Sequence, residues 1–174
     1  LFSVFMWIAY RQCYAPLSVF MRDSHGYSAG NYGSLISINA VLVVLFQFPL
    51  TRKIKKIPPY LSLSSGLVFL MIGLLILGFV HAYFLFIIAM LFITIGEMIL
   101  IPVSQSMVIS FAPEDKRGRY LAINMISWNL PSALAPLLAG VIMDNFNSNL
   151  LWYFSAALCL ISIIGYLSMH RGVK

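Results

Sequence analysis

The chain has 174 residues, of which 61% are hydrophobic and only 9% charged, and its mean hydropathy is +0.92. Soluble domains carry about 25% charged residues, so this composition excludes a soluble protein and makes lipid the solvent for most of the surface. The net charge of +6 does not indicate nucleic-acid binding, because the basic residues lie at the ends of apolar segments. We therefore expect no nucleic-acid partner.

Six apolar segments are long enough to cross a bilayer as helices. A spanning helix needs about 20 mostly apolar residues. The segments cover approximately residues 1–21, 32–50, 60–80, 83–107, 120–143 and 150–169. Strands of a membrane β-barrel would be about half as long and would alternate in polarity, which these segments do not. The sequence therefore predicts an all-α membrane protein with six transmembrane helices, and we expect residues 1–174 to be one domain of a longer protein.

Basic residues indicate how these helices are oriented. Cytoplasmic loops of membrane proteins carry an excess of Lys and Arg. Here nine basic residues fall in the second and fourth loops and the C-terminal tail, against Arg22 alone in the other loops. The nine are Arg52, Lys53, Lys55, Lys56, Lys116, Arg117, Arg119, Arg171 and Lys174. We therefore predict that both ends of the chain are cytoplasmic, and that these residues contact anionic lipid headgroups of the bilayer.

Two ionisable residues lie inside the predicted helices, Arg11 in the first and Glu97 in the fourth. A charge near the centre of a bilayer costs at least about 2.5–3.5 kcal/mol, so such residues usually pair or face a water-filled cavity. Both lie near the middle of their segments, and we predict that they form a charge pair. One hypothesis is a purely structural ion pair. The other is that Glu97 exchanges a proton or binds a cation during transport, with Arg11 as its partner.

Five further polar or aromatic residues inside the segments are candidates to line a solute cavity. They are Gln12, Tyr14, Asn39, Asn124 and Trp128. Amides within a membrane also act as contacts between helices, and this alternative is equally consistent with the pattern. Trp128 lies too centrally for the aromatic belt at the membrane surface. A flat ring in a cavity suits apolar or cationic solutes, whereas packing against a neighbouring helix is the alternative for Trp128.

The sequence contains no motif of an enzyme. Neither a phosphate-binding loop of the Walker type, nor HExxH, nor GxSxG occurs, and the three histidines are scattered. Cys13 and Cys159 both fall in apolar segments, which indicates neither a disulfide framework nor a metal site. We predict a protein with no catalytic residues, no cofactor and no metal.

Several stretches resemble one family of membrane proteins. The most specific is IGEMILIPVSQSMVISFAPEDKRGRYLAI at residues 95–123, and others are YRQCYAPLSVF, INAVLVVLFQFPLTRKIKK and APLLAG. Together they resemble the C-terminal six-helix half of a major facilitator superfamily transporter, in the twelve-span multidrug efflux branch of drug:proton antiporters. The resemblance runs along the whole chain. Ala135 and Ala139 stand where the antiporter motif usually has glycine, and the loop after the second segment lacks the Gly and Asp of the superfamily's loop motif.

The resemblance implies a fold and a function. Each half of such a transporter is a 3+3 inverted repeat, with the first and fourth helices lining the cavity, the second and fifth flanking it, and the third and sixth outside. It places Arg11 and Glu97 on cavity helices, and the missing N-terminal half of the same transporter would form the other wall. It implies proton-coupled export of small lipophilic or cationic solutes across the inner membrane by alternating access.

Two alternatives remain open at this point. The Gly-Glu pair followed by proline in the fourth segment also resembles peptide symporters, so a proton-coupled uptake carrier for peptides or sugars is one of them. The other is a six-helix membrane scaffold that transports nothing, in which Arg11 and Glu97 form a structural lock.

Overall fold

The computed structural model describes residues 2–172, so Lys174, one of the basic residues predicted to be cytoplasmic, lies outside the described range. Within that range the regular secondary structure consists of helices, which are joined by turns and short loops. The α-helices are α1 (Phe2–Arg11), α2 (Ala15–His25), α3 (Ala29–Ile54), α4 (Pro59–Gly78), α5 (Tyr83–Phe111), α6 (Arg117–Asn145) and α7 (Leu150–Gly172). A short 3₁₀ turn, Glu114–Lys116, precedes α6. Five of the described helices, α3 to α7, are long and apolar enough to cross a membrane.

The predicted first helix over residues 1–21 is wrong as a single element, because the described chain breaks into α1 and α2. Pro16 explains the break. It has no N–H to donate to the carbonyl of Gln12, and its ring crowds that carbonyl. The break is tightened by the N–H of Cys13, which donates to the carbonyl of Tyr10 only three residues back, over 3.1 Å. With 10 and 11 residues, neither α1 nor α2 alone reaches across a bilayer.

The packed centre of the molecule is α4, which lies against α5 on one side and α7 on the other. Five leucines along α4 are fully buried, and glycines let the helix backbones approach closely, as is common where membrane helices meet. A Cβ on Gly96 of α5 would lie 2.8 Å from the carbonyl oxygen of Gly66 and 2.9 Å from the amide nitrogen of Leu70. Glycine at position 96 is therefore required by the distance between α4 and α5.

We expect Gly96→Ala to destabilise the full-length protein by about 1–3 kcal/mol, because the added methyl group would push against backbone atoms that cannot rotate away. Thermal unfolding in detergent would measure this as a lower midpoint. Gly140→Ala is the matched control. A Cβ on Gly140 meets nothing within 4 Å, so its substitution should be neutral or slightly stabilising through helix propensity. Equal midpoints for the two variants would contradict the close packing of α4 on α5.

The helices α3 and α6 are much less covered than α4 and α7. The buried residues of α3 are Leu35 and Ile54, and those of α6 are Pro131, Ala135 and Ala139. Side-chain hydrogen bonds join α3 to α5 at three heights instead. They run from Tyr83 to the carbonyl of Asn31 (2.9 Å), from Asn39 to Thr94 (2.9 Å), and from Gln47 to the carbonyl of Met98 (3.0 Å). Polar contacts thus hold α3 where apolar packing is sparse.

Candidate functional site

The carboxylate of Glu97 is the centre of a hydrogen-bonded cluster at the middle of α5. The Tyr10 hydroxyl donates to Glu97 Oε1 over 2.7 Å, and the Tyr14 hydroxyl donates to the same oxygen over 3.2 Å. Asn39 Nδ2 donates to Oε2 over 2.8 Å. Three donors from α1, α3 and the break between α1 and α2 therefore converge on one carboxylate.

A second layer of contacts fixes these donors. The two tyrosine hydroxyls lie 2.6 Å apart. Asn39 Nδ2 also donates to Thr94 Oγ1 over 2.9 Å, and that hydroxyl donates to the carbonyl of Met90 over 2.7 Å. Thr94 and Glu97 are three residues apart on α5 and therefore share a face of the helix. The amide of Asn39 is thus positioned by one α5 side chain while it contacts another.

The break in the first span lies directly beside this cluster. Tyr10 belongs to the last turn of α1, and Tyr14 is the residue that precedes the first turn of α2. Both hydroxyls reach the same oxygen of Glu97. The carboxylate consequently connects the two halves of a helix that Pro16 interrupts, so the charge on Glu97 acts on both.

Arg11 does not pair with Glu97, although the sequence predicted a charge pair. In the part of the chain that the structure describes, the recorded ion pair joins Arg22 to Asp23, which are exposed. The reason is direction around the helix. Successive residues are 100° apart, so when Tyr10 faces α5 its neighbour Arg11 turns toward α6. There its guanidinium carbon lies 5.5 Å from the ring centre of Trp128, while its Nε is buried without a hydrogen-bond partner.

The remaining predicted cavity residues are distributed over the break and α6. Trp128 lies 4.0 Å from Trp7, ring centre to ring centre, which corresponds to the alternative of packing against a neighbouring helix. Gln12 is fully buried and its Nε2 donates to the carbonyl of Ala135 over 3.2 Å, so it joins the break to α6. Asn124 and Trp128 both line a groove of about 430 Å³ between α5 and α6, so Trp128 packs on Trp7 and also borders this groove.

The structure therefore brings Tyr14 and Asn39 together with Glu97, and places Arg11 with Trp128 in a separate contact. Sequence reasoning missed Tyr10, which makes the shortest bond to Glu97. The signal was available, because Tyr10 is four residues before Tyr14 and residues at that spacing share a helix face. Among the described residues no cluster of three or more His, Cys, Asp or Glu side chains suits a metal ion.

The cluster can exchange a proton or hold a small cation. Each tyrosine hydroxyl can donate or accept a hydrogen bond, so a protonated Glu97 can donate to one of them without a change of partners. Carboxylate, hydroxyl and amide oxygens are also the ligands that hard cations prefer. Either species would neutralise the carboxylate in a low-dielectric environment, which reduces the penalty for its burial.

Comparison with known proteins agrees with this architecture. The model of the Major Facilitator Superfamily matches residues 1–172. The chain is 27% identical to the uncharacterized MFS-type transporter YttB of Bacillus subtilis over 97% of this chain and 43% of that protein. It is 24% identical to the uncharacterized MFS-type transporter YdeE of Escherichia coli over 80% of this chain and 35% of that protein.

A further relative has a more specific name. The chain is 27% identical to the Na(+), Li(+), K(+)/H(+) antiporter of Planococcus maritimus over 62% of this chain and 25% of that protein. The chain spans less than half the length of each of these relatives. It belongs to the Major Facilitator Superfamily, a family of integral-membrane transporters and not of enzymes.

Proposed function

We propose that this chain is the C-terminal half of a secondary active transporter that exports small lipophilic or cationic solutes in exchange for protons. The observation that carries the proposal is the Glu97 carboxylate, which lies at the middle of a membrane-spanning helix and accepts hydrogen bonds from Tyr10, Tyr14 and Asn39. An ionisable residue at that depth is expensive and usually serves an ion or solute pathway.

Coupling would follow from the two charge states of Glu97. As a carboxylate it accepts from all three donors and holds α1, α2 and α3 together. When it gains a proton, one of its oxygens becomes a donor, and the attraction of the three donors weakens. Alternating access requires such a difference between the two conformations, because a ligand shifts an equilibrium only by its differential affinity for the two states.

Topology supports the same proposal. If α1 and α2 together make the first crossing, the chain crosses the membrane six times, as one half built from a 3+3 repeat does. The basic residues at the end of α3 and the start of α6 then lie on the cytoplasmic side of the inner membrane, as do both ends of the chain. The missing N-terminal half would complete the cavity beside the groove that Asn124 lines.

Exchange of an alkali cation for protons is the second candidate. It is favoured by the oxygen-rich surroundings of Glu97, where two hydroxyls from tyrosines and one from Thr94 lie close to the carboxylate. The relative from Planococcus maritimus is named as an antiporter of this kind. A scaffold without transport gains no comparable support from the site, whereas proton-coupled uptake would use the same Glu97 carboxylate.

The test uses the full-length transporter in liposomes that contain a pH-sensitive dye. A lipophilic cation, added after a pH gradient is imposed, should move protons through wild-type protein and not through empty liposomes. Sodium, lithium and potassium chloride form the second arm, with choline chloride as their control. If only lipophilic cations move protons, the result supports drug export. If only alkali cations move protons, the result supports the second candidate. No proton movement in either arm would overturn antiport.

A further inference from the structure

A groove lies between α3 and α5 that is separate from the Glu97 carboxylate. It has a volume of about 480 Å³, and its walls include Leu42, Phe46, Leu50, Lys53, Leu91 and Ile95. Ile95 and Glu97 are two residues apart on α5 and therefore point about 200° apart around the helix axis. The groove meets the Glu97 cluster at Thr94, which lines it, and extends from there around α5 to Ile95, away from the carboxylate.

The length of the groove matches one leaflet of a bilayer. On α3 it runs from Leu42 to Lys53, which is 12 residues and about 16 Å of helix. Half of the hydrocarbon thickness of a bilayer is about 15 Å. The walls are apolar except at Lys53 and Thr94, so the groove suits an extended hydrocarbon chain that ends near Lys53.

The charge at the Lys53 end is strongly positive. Lys53 is exposed and is followed and preceded by other exposed basic residues, Arg52, Lys55 and Lys56. Within the described residues the ammonium group of Lys53 has neither a hydrogen-bond partner nor an ion-pair partner, and the recorded ion pair lies elsewhere, between Arg22 and Asp23. A phosphate group at the membrane surface would complement this charge.

Hydrogen bonds between α3 and α5 fix the shape of the groove. Gln47 Nε2 donates to the carbonyl of Met98 over 3.0 Å, which fixes α3 against α5 beside the groove. Gln47 also donates to the Thr51 hydroxyl over 3.0 Å, so its amide is held in place. Pro49, which lines the groove, lacks the N–H that would bind the carbonyl of Leu45, and a proline at such a position allows the helix to bend.

We propose that this groove binds an anionic phospholipid, with one acyl chain between α3 and α5 and the phosphate on Lys53. The lipid would come from the cytoplasmic leaflet, in keeping with the proposed orientation of α3. It would stabilise the contact of α3 with α5, the same pair of helices that holds Asn39 against Glu97.

Native mass spectrometry of the full-length transporter in detergent tests this proposal, with dioleoyl-phosphatidylglycerol as the probe and dioleoyl-phosphatidylcholine as the neutral lipid. Lys53→Gln should weaken phosphatidylglycerol binding by about tenfold or more, because it removes a hydrogen bond to a charged group. Lys53→Arg should preserve binding. Lys56→Gln is the matched control, and it should weaken binding by no more than about fivefold, through the general surface charge.

Two further arms of the experiment distinguish binding in the groove from attraction of the lipid to the basic surface. Leu91→Trp narrows the groove without altering charge, and Leu91 is 37% exposed, so the larger ring should be tolerated by the fold. This variant should lose phosphatidylglycerol binding while its thermal midpoint stays unchanged. Glycerol phosphate, the headgroup alone, should not compete. Equal losses in Lys53→Gln and Lys56→Gln, unchanged binding in Leu91→Trp, or competition by glycerol phosphate would each overturn the lipid site.

Discussion

Replacing Glu97 with Gln is expected to reduce proton-driven transport by the full-length protein to the level of empty liposomes, with the fold intact. The substituted side chain would keep an oxygen that accepts from Tyr10 and Tyr14, and a flipped Asn39 amide would present its oxygen to the new NH₂ group. The structural cost is then about one hydrogen bond, or 0.5–1.5 kcal/mol. The introduced amide cannot bind and release a proton, so coupling is lost.

The measurement is dye-monitored proton movement with an imposed pH gradient, together with thermal unfolding of the same preparation. Asp144→Asn is the matched control. Asp144 is an exposed acidic residue near the end of α6, away from the cluster, and its variant should transport at the rate of wild type. Full proton-driven transport by Glu97→Gln would remove Glu97 from the coupling mechanism. A folded Glu97→Gln variant that still carries solute down its own gradient would show that coupling alone was lost.

Removing the tyrosine hydroxyls is expected to slow proton-driven transport. Tyr10→Phe deletes the 2.7 Å bond to Glu97 Oε1, and Tyr14→Phe deletes the 3.2 Å bond to the same oxygen. A hydrogen bond to a charged group contributes about 1.5–3 kcal/mol. Without it the contact that joins α1 and α2 to α5 weakens, so the rate of proton-driven transport should fall by about tenfold or more, since each 1.4 kcal/mol corresponds to a factor of about ten.

The loss should be larger for Tyr10→Phe, because its bond is the shorter of the two. Tyr153→Phe is the matched control, since it also deletes one hydroxyl hydrogen bond, from Tyr153 to the carbonyl of Gly78 (2.9 Å), at a site remote from Glu97. That variant should keep the wild-type rate of dye-monitored proton movement even if it unfolds at a lower temperature. Wild-type rates in both the Tyr10 and the Tyr14 variants would mean that the two hydroxyl contacts to Glu97 have no part in coupling.

Sequence alone located the five helices that are long and apolar enough to cross a membrane, α3 to α7, because a helix in lipid must have both properties. The helices α3, α5 and α6 also extend past the predicted segments, and at α3 and α6 polar residues such as Arg52 and Arg117 continue the helix beyond the apolar run. The break at residues 12–14 was not predicted. A proline inside a membrane helix is compatible with either a bend or an interruption, and the choice depends on partners such as Ala135, which contacts Gln12.

The sequence indicates where along each segment Arg11 and Glu97 lie, and not which way their side chains point around the helix axis. Arg11 and Glu97 do lie in the middle portions of their segments, but pairing also requires that both point at each other. The rotation of α1 is set by how Trp7 and Tyr10 pack against α6 and α5, which no single sequence records. Tyr14 and Asn39 lie with Glu97 because each is aimed at α5.

The three polar contacts between α3 and α5 differ in kind. The outer contact, from Tyr83, and the inner contact, from Gln47, end on backbone carbonyls that carry no variable charge. The middle contact, from Asn39, ends on Glu97 and Thr94. When Glu97 gains a proton, only the middle contact weakens, while the contacts of Tyr83 and Gln47 remain. We therefore expect α3 to bend near Asn39, with the helix held in place on either side of the bend.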